Sequence, residues 1–278
     1  MTTRRAAAGE IEIAYEDRGQ GARPLVLVHG YTGYRQDFET QWGALASDRR
    51  VLAPDLRGHG ESGGAKDPAG YSLASLTRDL AQWMDALALG PVDLLGHSMG
   101  GMLALRLALA EPERVASLIL MDTSARPLDH VDRGLFDKAA SLVRAAGMEA
   151  LQKVMRARAA DDPSRPDADR RVAEEWGEER YWRWRDTRMA AMDPEAYASL
   201  GPAMFEAESL VPRLAELSCP TLVLVGEDDT EFREPAEEMA RLIPDARLVV
   251  LAGAAHQPQH EAPEAWLDAV RKHLARVR

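Results

Sequence analysis

The fold is decided by the stretch from Val92 to Gly101, which reads VDLLGHSMGG. A short apolar run is followed by the pentapeptide GHSMG at positions 96–100, and a helix-length apolar segment comes after it. The pattern Gly-x-Ser-x-Gly suits a sharp turn from a strand into a helix, because side chains in place of the glycines would clash there. Such a turn exposes Ser98 at the carboxyl end of the strand, and it predicts that Ser98 is a nucleophile.

Short apolar runs like the one before this turn recur along the chain. They cover residues 11–15, 25–28, 51–53, 118–121, 222–225 and 248–251. Most are continuous rather than alternating, which is typical of strands buried on both faces. We expect residues 11–15 to form an edge strand. Because helix-length amphipathic segments separate the runs, the sequence predicts an α/β protein with a mostly parallel sheet.

Two of these helical segments carry clear boundary signals. Leucines and Met84 recur at helical spacing after Ser72, a residue type that caps helix amino termini. The last segment begins with Pro263 near its first turn and has Trp266, Val270 and Leu274 on one stripe. We expect these two helices to cover the sheet.

The alternation of apolar runs and helical segments is interrupted once, over residues 124–216. This segment contains helical stretches rich in Ala, Arg and Glu. We interpret this segment as a helical lid inserted into a core formed by residues 1–123 and 217–278. Trp176, Trp182 and Trp184 could contact substrate there, or they could form the core of the lid itself. The arginines at 180, 183, 185 and 188 are expected to form a solvated helix face paired with nearby glutamates rather than a carboxylate-binding site.

Composition narrows the classes of function. The 278 residues include 34 Lys+Arg and 45 Asp+Glu, a formal net charge of −11. This balance argues against nucleic-acid binding, which relies on clustered basic residues. The one cysteine, Cys219, excludes an internal disulfide and a multi-cysteine metal site. With no signal-peptide core and no membrane-length apolar run, we expect a cytoplasmic protein.

Four further motifs each come shortly after one of the apolar runs. His29-Gly30-Tyr31 follows residues 25–28, and DLRGHGES occupies positions 55–62. GEDD at 226–229 and GAAH at 253–256 each follow one of the last two runs. Together with the serine turn, these motifs make the chain resemble the α/β-hydrolase fold family over nearly its whole length, apart from the lid.

The resemblance implies a sheet flanked by helices, with a helical cap inserted after the sixth strand. It also implies an oxyanion hole formed by the backbone N–H groups of Tyr31 and Met99. The DLRGHGES turn is structural in this family. His29 is expected to organise the loop, and His97, beside the nucleophile, to border the substrate pocket.

The family places its catalytic acid in G-x-x-D after the strand at 222–225, which points to Asp229. Asp228 is the neighbouring alternative, and Asp122 is a third because some members put the acid after the preceding strand. His256 fits the family's G-x-x-H and is the expected base in preference to His260. The order Ser98, Asp229, His256 along the chain matches this fold. In this scheme, Ser98 attacks an acyl carbonyl while His256 takes its proton.

The predicted function is hydrolysis of a carboxylic ester, of small to medium size and apolar or aryl, through an acyl-enzyme and without a cofactor. A lactone hydrolase, a carbon–carbon bond hydrolase and a weakly hydrolytic ligand sensor are the alternatives, and thioesters need the same catalytic groups. GHGESG at 58–63 has the spacing of a dinucleotide fingerprint, but a loop follows it where a helix is needed. His256 and His260 lack the H-E-x-x-H pattern of a zinc site. No oligomeric state is predicted.

Overall fold

A computed structural model describes residues 3–129, 131–161 and 165–277. Its centre is an eight-stranded sheet. The strands are β1 (Arg4–Ala8), β2 (Ile11–Arg18), β3 (Leu25–Val28), β4 (Val51–Pro54), β5 (Val92–His97), β6 (Val115–Met121), β7 (Thr221–Gly226) and β8 (Ala246–Leu251). The apolar runs of the sequence therefore form the strands of one sheet.

The strand order is β1-β2-β4-β3-β5-β6-β7-β8. Pairing from β4 through β8 is parallel, whereas β1 and β2 add to the sheet in antiparallel fashion. Residues 11–15 were expected at an edge, and this is wrong because β1 pairs with β2 on its outer side. The sequence of β1, RRAAA, is mostly exposed and has no apolar run.

Helices cover both faces of the sheet. They are α1 (Trp42–Leu45), α2 (Leu73–Ala86), α3 (Met99–Ala110), α4 (Arg133–Asp161), α5 (Asp167–Trp176), α6 (Glu178–Ala190), α7 (Pro194–Phe205), α8 (Thr230–Leu242), α9 (Pro258–Glu261) and α10 (Pro263–Arg276). Short 3₁₀ turns lie at 35–41, 68–70, 112–114 and 211–216. Ser72 caps α2 as predicted, because its hydroxyl accepts the Ser75 N–H.

Apolar side chains form a core on each side of the sheet. On one side, α2, α3 and α8 bury residues such as Trp83, Leu103 and Met239. On the other side, Trp42 and Trp266 pack with the opposite faces of the central strands. A sheet buried on both faces explains why its strands read as continuous apolar runs.

The chain between β6 and β7 forms α4 to α7, and the described residues there contain no strand. Helix α4 bends at Gly147, whose φ of 77° is outside the helical range. Residues of α4 and α7, including Val143, Leu151 and Leu200, join the core that lies above α3. These helices stand over the carboxyl ends of the strands, where Tyr31 packs on Phe136 of α4 and on Tyr197 of α7.

Among the helices of the described residues, none has the length and apolar character needed to cross a membrane. Cys219 is buried and unpaired.

Candidate active site

Three parallel strands of one half of the sheet end where the predicted catalytic residues lie. Ser98 follows β5, Asp229 follows the end of β7, and His256 follows β8. Because these strands run parallel, their carboxyl ends meet at one edge of the sheet. Ser98, Asp229 and His256 line a common cavity there. The order of the sheet thus brings together residues that are up to 158 positions apart in sequence.

Ser98 has φ 53° and ψ −120°, a conformation that costs a non-glycine residue about 1–3 kcal/mol. A Cβ at Gly96 would lie 2.3 Å from the Gly100 carbonyl oxygen, and one at Gly100 would lie 2.4 Å from that of Val28. Both contacts are with backbone, which cannot easily move. The two glycines of the motif are therefore required by the sharp turn around Ser98.

Hydrogen bonds hold this strained turn in place. The Ser98 N–H donates to the Met121 carbonyl at 2.9 Å, and the Thr123 hydroxyl donates to the Ser98 carbonyl at 2.7 Å. The following helix contributes a donor, since the Gly101 N–H donates to the Ser98 carbonyl at 2.9 Å. The backbone is fixed on both sides, and the hydroxyl remains directed into the cavity.

His256 is oriented by Asp229. Its Nδ1 lies 2.7 Å from Asp229 Oδ2, so Nδ1 carries the proton that is donated and Nε2 is left to act as a base. Burial acts to lower the pKa of His256, but the charge and hydrogen bond of Asp229 outweigh it and raise the pKa above its usual value. Among the described residues, Ser98 Oγ makes no hydrogen bond. In ligand-free enzymes the hydrogen bond between a nucleophile and its base is often long and shortens only when substrate binds.

Asp122, the third candidate acid, lies beside this pair. It is fully buried, and its Oδ1 accepts the Gly226 N–H at 2.9 Å. Burial and the neighbouring Asp229 raise the pKa of Asp122 well above the usual range, which favours its neutral form. Asp228 is exposed, and its backbone N–H donates to the Ala254 carbonyl at 2.8 Å. Of the three acids, Asp229 is the one bonded to His256.

Asp122, Asp229 and His256 place one potential ligand atom each within 4.8 Å of one another. A tetrahedral metal bound at about 2.1 Å by two such atoms would hold them about 3.4 Å apart. The Asp229 and His256 atoms are 2.7 Å apart, which is a hydrogen-bond distance. The spacing therefore fits a proton between them better than an ion.

The loop after β3 approaches Ser98 closely. A Cβ on Gly30 would lie 3.1 Å from the Ser98 Cβ, so glycine permits the approach. Met99 is the first residue of α3, and its N–H has no acceptor within the helix. Tyr31 borders the same cavity as Ser98. The N–H groups of Tyr31 and Met99 thus lie on two backbone segments that flank the serine.

Two histidines fix this loop. His29 Nδ1 donates to the Gly30 carbonyl at 2.8 Å, while Nε2 accepts the Leu56 N–H at 3.0 Å. His59, within the DLRGHGES turn, donates from Nε2 to the Tyr31 carbonyl at 2.6 Å. Burial lowers the pKa of both rings, so they stay neutral. In the sequence, only the place of His59 in the DLRGHGES motif indicates that it has a role.

His97 borders the cavity and also contacts the backbone of His256. Its Nε2 donates to the His256 carbonyl at 2.8 Å, and the two rings lie 5.0 Å apart. Burial lowers the pKa of His97 well below its usual value. His260 is also buried, with its pKa lowered to about 3, and it packs edge-on to Trp184 rather than near Ser98.

The cavity over Ser98 has a volume of about 650 Å³. One part of its wall is apolar and includes Leu128, Val131, Leu135, Phe136 and Met204, and the acids Asp132, Asp228 and Glu231 also border it. A second cavity of about 610 Å³ adjoins it and shares His256 and Arg188 as wall residues.

The three tryptophans predicted to contact substrate do not all border the two cavities. Trp182 and Trp184 border the adjoining cavity, whereas Trp176 lines neither of the two cavities and packs edge-on against Trp184 at 5.6 Å. All three also pack around buried Tyr181, so they form a small core among α5 and α6.

The arginines of α6 do not all form the solvated face expected from the sequence. Arg183 does, since it is exposed and pairs with Glu179 at 2.5 Å. Arg188 is instead buried, with Nε 2.9 Å from Asp37 Oδ1, and it lies in the walls of both cavities. Its partner is 151 positions away, so no local pattern could reveal the contact.

Comparison with known proteins identifies relatives that share this fold. Residues 23–263 match the model of the alpha/beta hydrolase fold family. An esterase from Thermogutta terrifontis is 33% identical and superposes with a TM-score of 0.81, covering 100% of this chain and 99% of that one. The enol-lactonase from Burkholderia xenovorans LB400 is 28% identical, with a TM-score of 0.84 over 98% and 100% of the two chains. The sn-1-specific diacylglycerol lipase ABHD11 of Mus musculus is 28% identical over 263 residues, 90% of this chain and 80% of the lipase.

Proposed function

The chain belongs to the alpha/beta hydrolase fold family and is a hydrolase, and we propose that it cleaves carboxylic esters with Ser98 as nucleophile, His256 as base and Asp229 as acid. The observation that carries the proposal is the 2.7 Å contact between His256 Nδ1 and Asp229 Oδ2 beside a strained serine. This contact leaves Nε2 of His256 as the atom that can accept the serine proton.

The reaction starts when Ser98 Oγ attacks the acyl carbon and its proton passes to His256 Nε2. The N–H groups of Tyr31 and Met99 stabilise the oxyanion of the tetrahedral intermediate. Its collapse breaks the bond to the alcohol oxygen, which takes the proton from His256, and leaves the acyl group on Ser98. A water molecule then attacks the acyl-enzyme with His256 as base, releasing the acid and restoring the serine.

The cavity supports a substrate of small to medium size. A volume of about 650 Å³ lies within the usual range for small-molecule sites. Its apolar wall, which includes Leu128, Phe136 and Met204, suits an alkyl or aryl group. The names of the esterase and enol-lactonase among the solved relatives support an oxygen-ester carbonyl as the reacting group.

The helices α4 to α7 fit the proposed role of a lid over residues 124–216. Phe136 of α4 and Met204 of α7 supply part of the wall above Ser98. Tyr31, which belongs to the loop that carries one proposed oxyanion donor, donates its hydroxyl to the Tyr197 carbonyl of α7. The lid and the oxyanion loop are therefore joined at the site.

Steady-state hydrolysis of p-nitrophenyl esters from acetate to laurate tests the proposal. We expect sustained turnover that falls by at least about 10⁴-fold in Ser98→Ala, with the best chain length reporting the size of the cavity. Ser47→Ala, an exposed serine outside the site, is the matched control and should retain activity. Acylation followed by negligible steady-state turnover would instead favour a ligand sensor.

A further inference from the structure

Arg188 is an unusual residue in the wall of the proposed active site. It lies in the last turn of α6 and its side chain is 9% exposed. It borders the cavity over Ser98 and the adjoining cavity, so it stands where the two meet. A buried arginine is costly unless its charge is used or paired, and its position between two cavities calls for an explanation.

Two contacts fix the guanidinium. Nη2 donates to Asp37 Oδ2 at 3.0 Å while Nε lies 2.9 Å from Oδ1, so one edge of the group faces the aspartate. The plane packs 4.6 Å from the centre of the Trp184 ring. Asp37 is itself fully buried in the loop after β3. The side chain is therefore held in one orientation before any ligand binds.

The opposite edge of the guanidinium still has N–H groups to donate. Arginine offers five N–H donors in a planar fork, and Asp37 engages one edge of it. Within the described residues, Nη1 of Arg188 makes no hydrogen bond. A planar fork with unused donors beside a cavity is suited to a carboxylate, which can accept two of them at once.

Positive charge predominates in the adjoining cavity. Arg158, Arg165 and Arg185 border it together with Arg188, against the acids Asp169 and Glu261. Asp169 is already paired with Arg165 at 2.5 Å. Burial raises the pKa of Glu261 to about 7, which reduces its negative charge near neutral pH. Four arginines against two acids leave this wall with a net positive charge even when both acids are ionised.

We infer that the substrate is an ester that carries a free carboxylate in one of its halves, and that Arg188 binds this carboxylate while the ester carbonyl lies at Ser98. The inference rests on the proposed function and narrows its substrate class. A monoester of a dicarboxylic acid and an ester of a hydroxybenzoate are examples of this chemistry. Arg188 acts as a specificity residue and takes no part in bond breaking.

The alternative role of Arg188 is structural, a tie between α6 and the loop that holds Asp37. The two roles differ in what a substitution changes. A structural tie affects charged and neutral esters alike, whereas a carboxylate site affects the charged ones. Comparing matched pairs of substrates therefore separates the two roles.

One pair places the carboxylate in the acyl half and contrasts mono-p-nitrophenyl pimelate with p-nitrophenyl octanoate. The other pair places it in the alcohol half and contrasts 4-acetoxybenzoate with its methyl ester. Each kcat/KM is measured at pH 8 with the rate in Ser98→Ala subtracted. Arg188→Gln is compared with Arg183→Gln, which removes the same charge from an exposed position on the same helix.

We expect the wild type to prefer the carboxylate substrate in at least one pair. In Arg188→Gln this preference falls about 10- to 100-fold, mainly through KM, as expected for loss of a hydrogen bond to a charged group. The neutral partner and the Arg183→Gln enzyme should change little. Because Arg188→Gln leaves Asp37 buried and unpaired, the double variant Asp37→Asn/Arg188→Gln is measured beside it.

A second readout does not depend on turnover. Binding of pimelate dianion to Ser98→Ala is measured by calorimetry and by tryptophan fluorescence, to which Trp184 beside Arg188 contributes, and it should be lost when Arg188→Gln is added. No preference in either pair together with no pimelate binding overturns the inference, and ester hydrolysis by Ser98 would still stand. Pimelate binding without hydrolysis of any ester would uphold the carboxylate site and refute the proposed function.

Discussion

Replacing Asp229 by asparagine removes the carboxylate that faces His256 while preserving its shape. The two groups are 2.7 Å apart between Nδ1 and Oδ2. When His256 becomes charged during the reaction, a pair at this distance is stabilised by about 6 kcal/mol at an effective dielectric constant of about 20. Asparagine can return about 1 kcal/mol of this through a neutral hydrogen bond. The remaining loss corresponds to a fall in kcat of about 10⁴-fold.

The assay is hydrolysis of p-nitrophenyl butyrate by Asp229→Asn, Asp228→Asn and Asp122→Asn. Asp228 is exposed, so its variant should stay within about threefold of wild type. Burial and Asp229 raise the pKa of Asp122 well above its usual range, and its Oδ1 accepts the Gly226 N–H. Asparagine retains this acceptor, and we expect a loss below about tenfold. If Asp228→Asn loses activity while Asp229→Asn keeps it, the assignment of the acid is wrong.

The remaining predictions concern pH and stability. His256 must be neutral to act as a base, and its pKa is raised. We therefore expect kcat/KM to fall as the pH decreases, with a midpoint above pH 6.5. A midpoint below about pH 6 would contradict the pairing with Asp229. In urea unfolding, Gly100→Ala should lower the free energy of unfolding by about 1–3 kcal/mol, because its Cβ would overlap the carbonyl oxygens of Val28 and His29. Gly90→Ala, which has open space around it, should change stability by less than about 0.5 kcal/mol, and equal losses in the two variants would refute this packing argument. Asp79→Ala leaves buried Arg57 without its bidentate partner, so it should lower the free energy of unfolding by about 3–5 kcal/mol in the same assay. A decrease below about 1 kcal/mol would disprove this prediction.

The sequence predicts the central part of the fold because buried parallel strands have a local signature. Runs such as Leu25–Val28 are apolar at every position, and each became a strand of the sheet. The serine turn is equally local, since the glycines at 96 and 100 are dictated by contacts within a few residues or with the adjacent strand. The edge strand Arg4–Ala8 has no such signature, because its structure depends on pairing with β2.

Burial of charge could not be predicted in the same way. The arginines of α6 share one helical pattern, yet Arg183 is solvated and Arg188 is enclosed beside Asp37. The difference arises where α6 meets the loop after β3, a contact set by the tertiary arrangement. The histidines at 29 and 59 likewise take their roles from backbone groups brought to them by the fold.

The central claim, that Ser98 is the nucleophile of an acyl-transfer reaction, is tested most directly by trapping the acyl-enzyme. The protein is mixed with a slowly hydrolysed p-nitrophenyl ester, quenched in acid during the initial burst and mapped by peptide mass spectrometry. We expect one acyl group on the peptide that contains Ser98, and its loss in Ser98→Ala. An acyl group on another residue, or turnover that persists in Ser98→Ala, would contradict it.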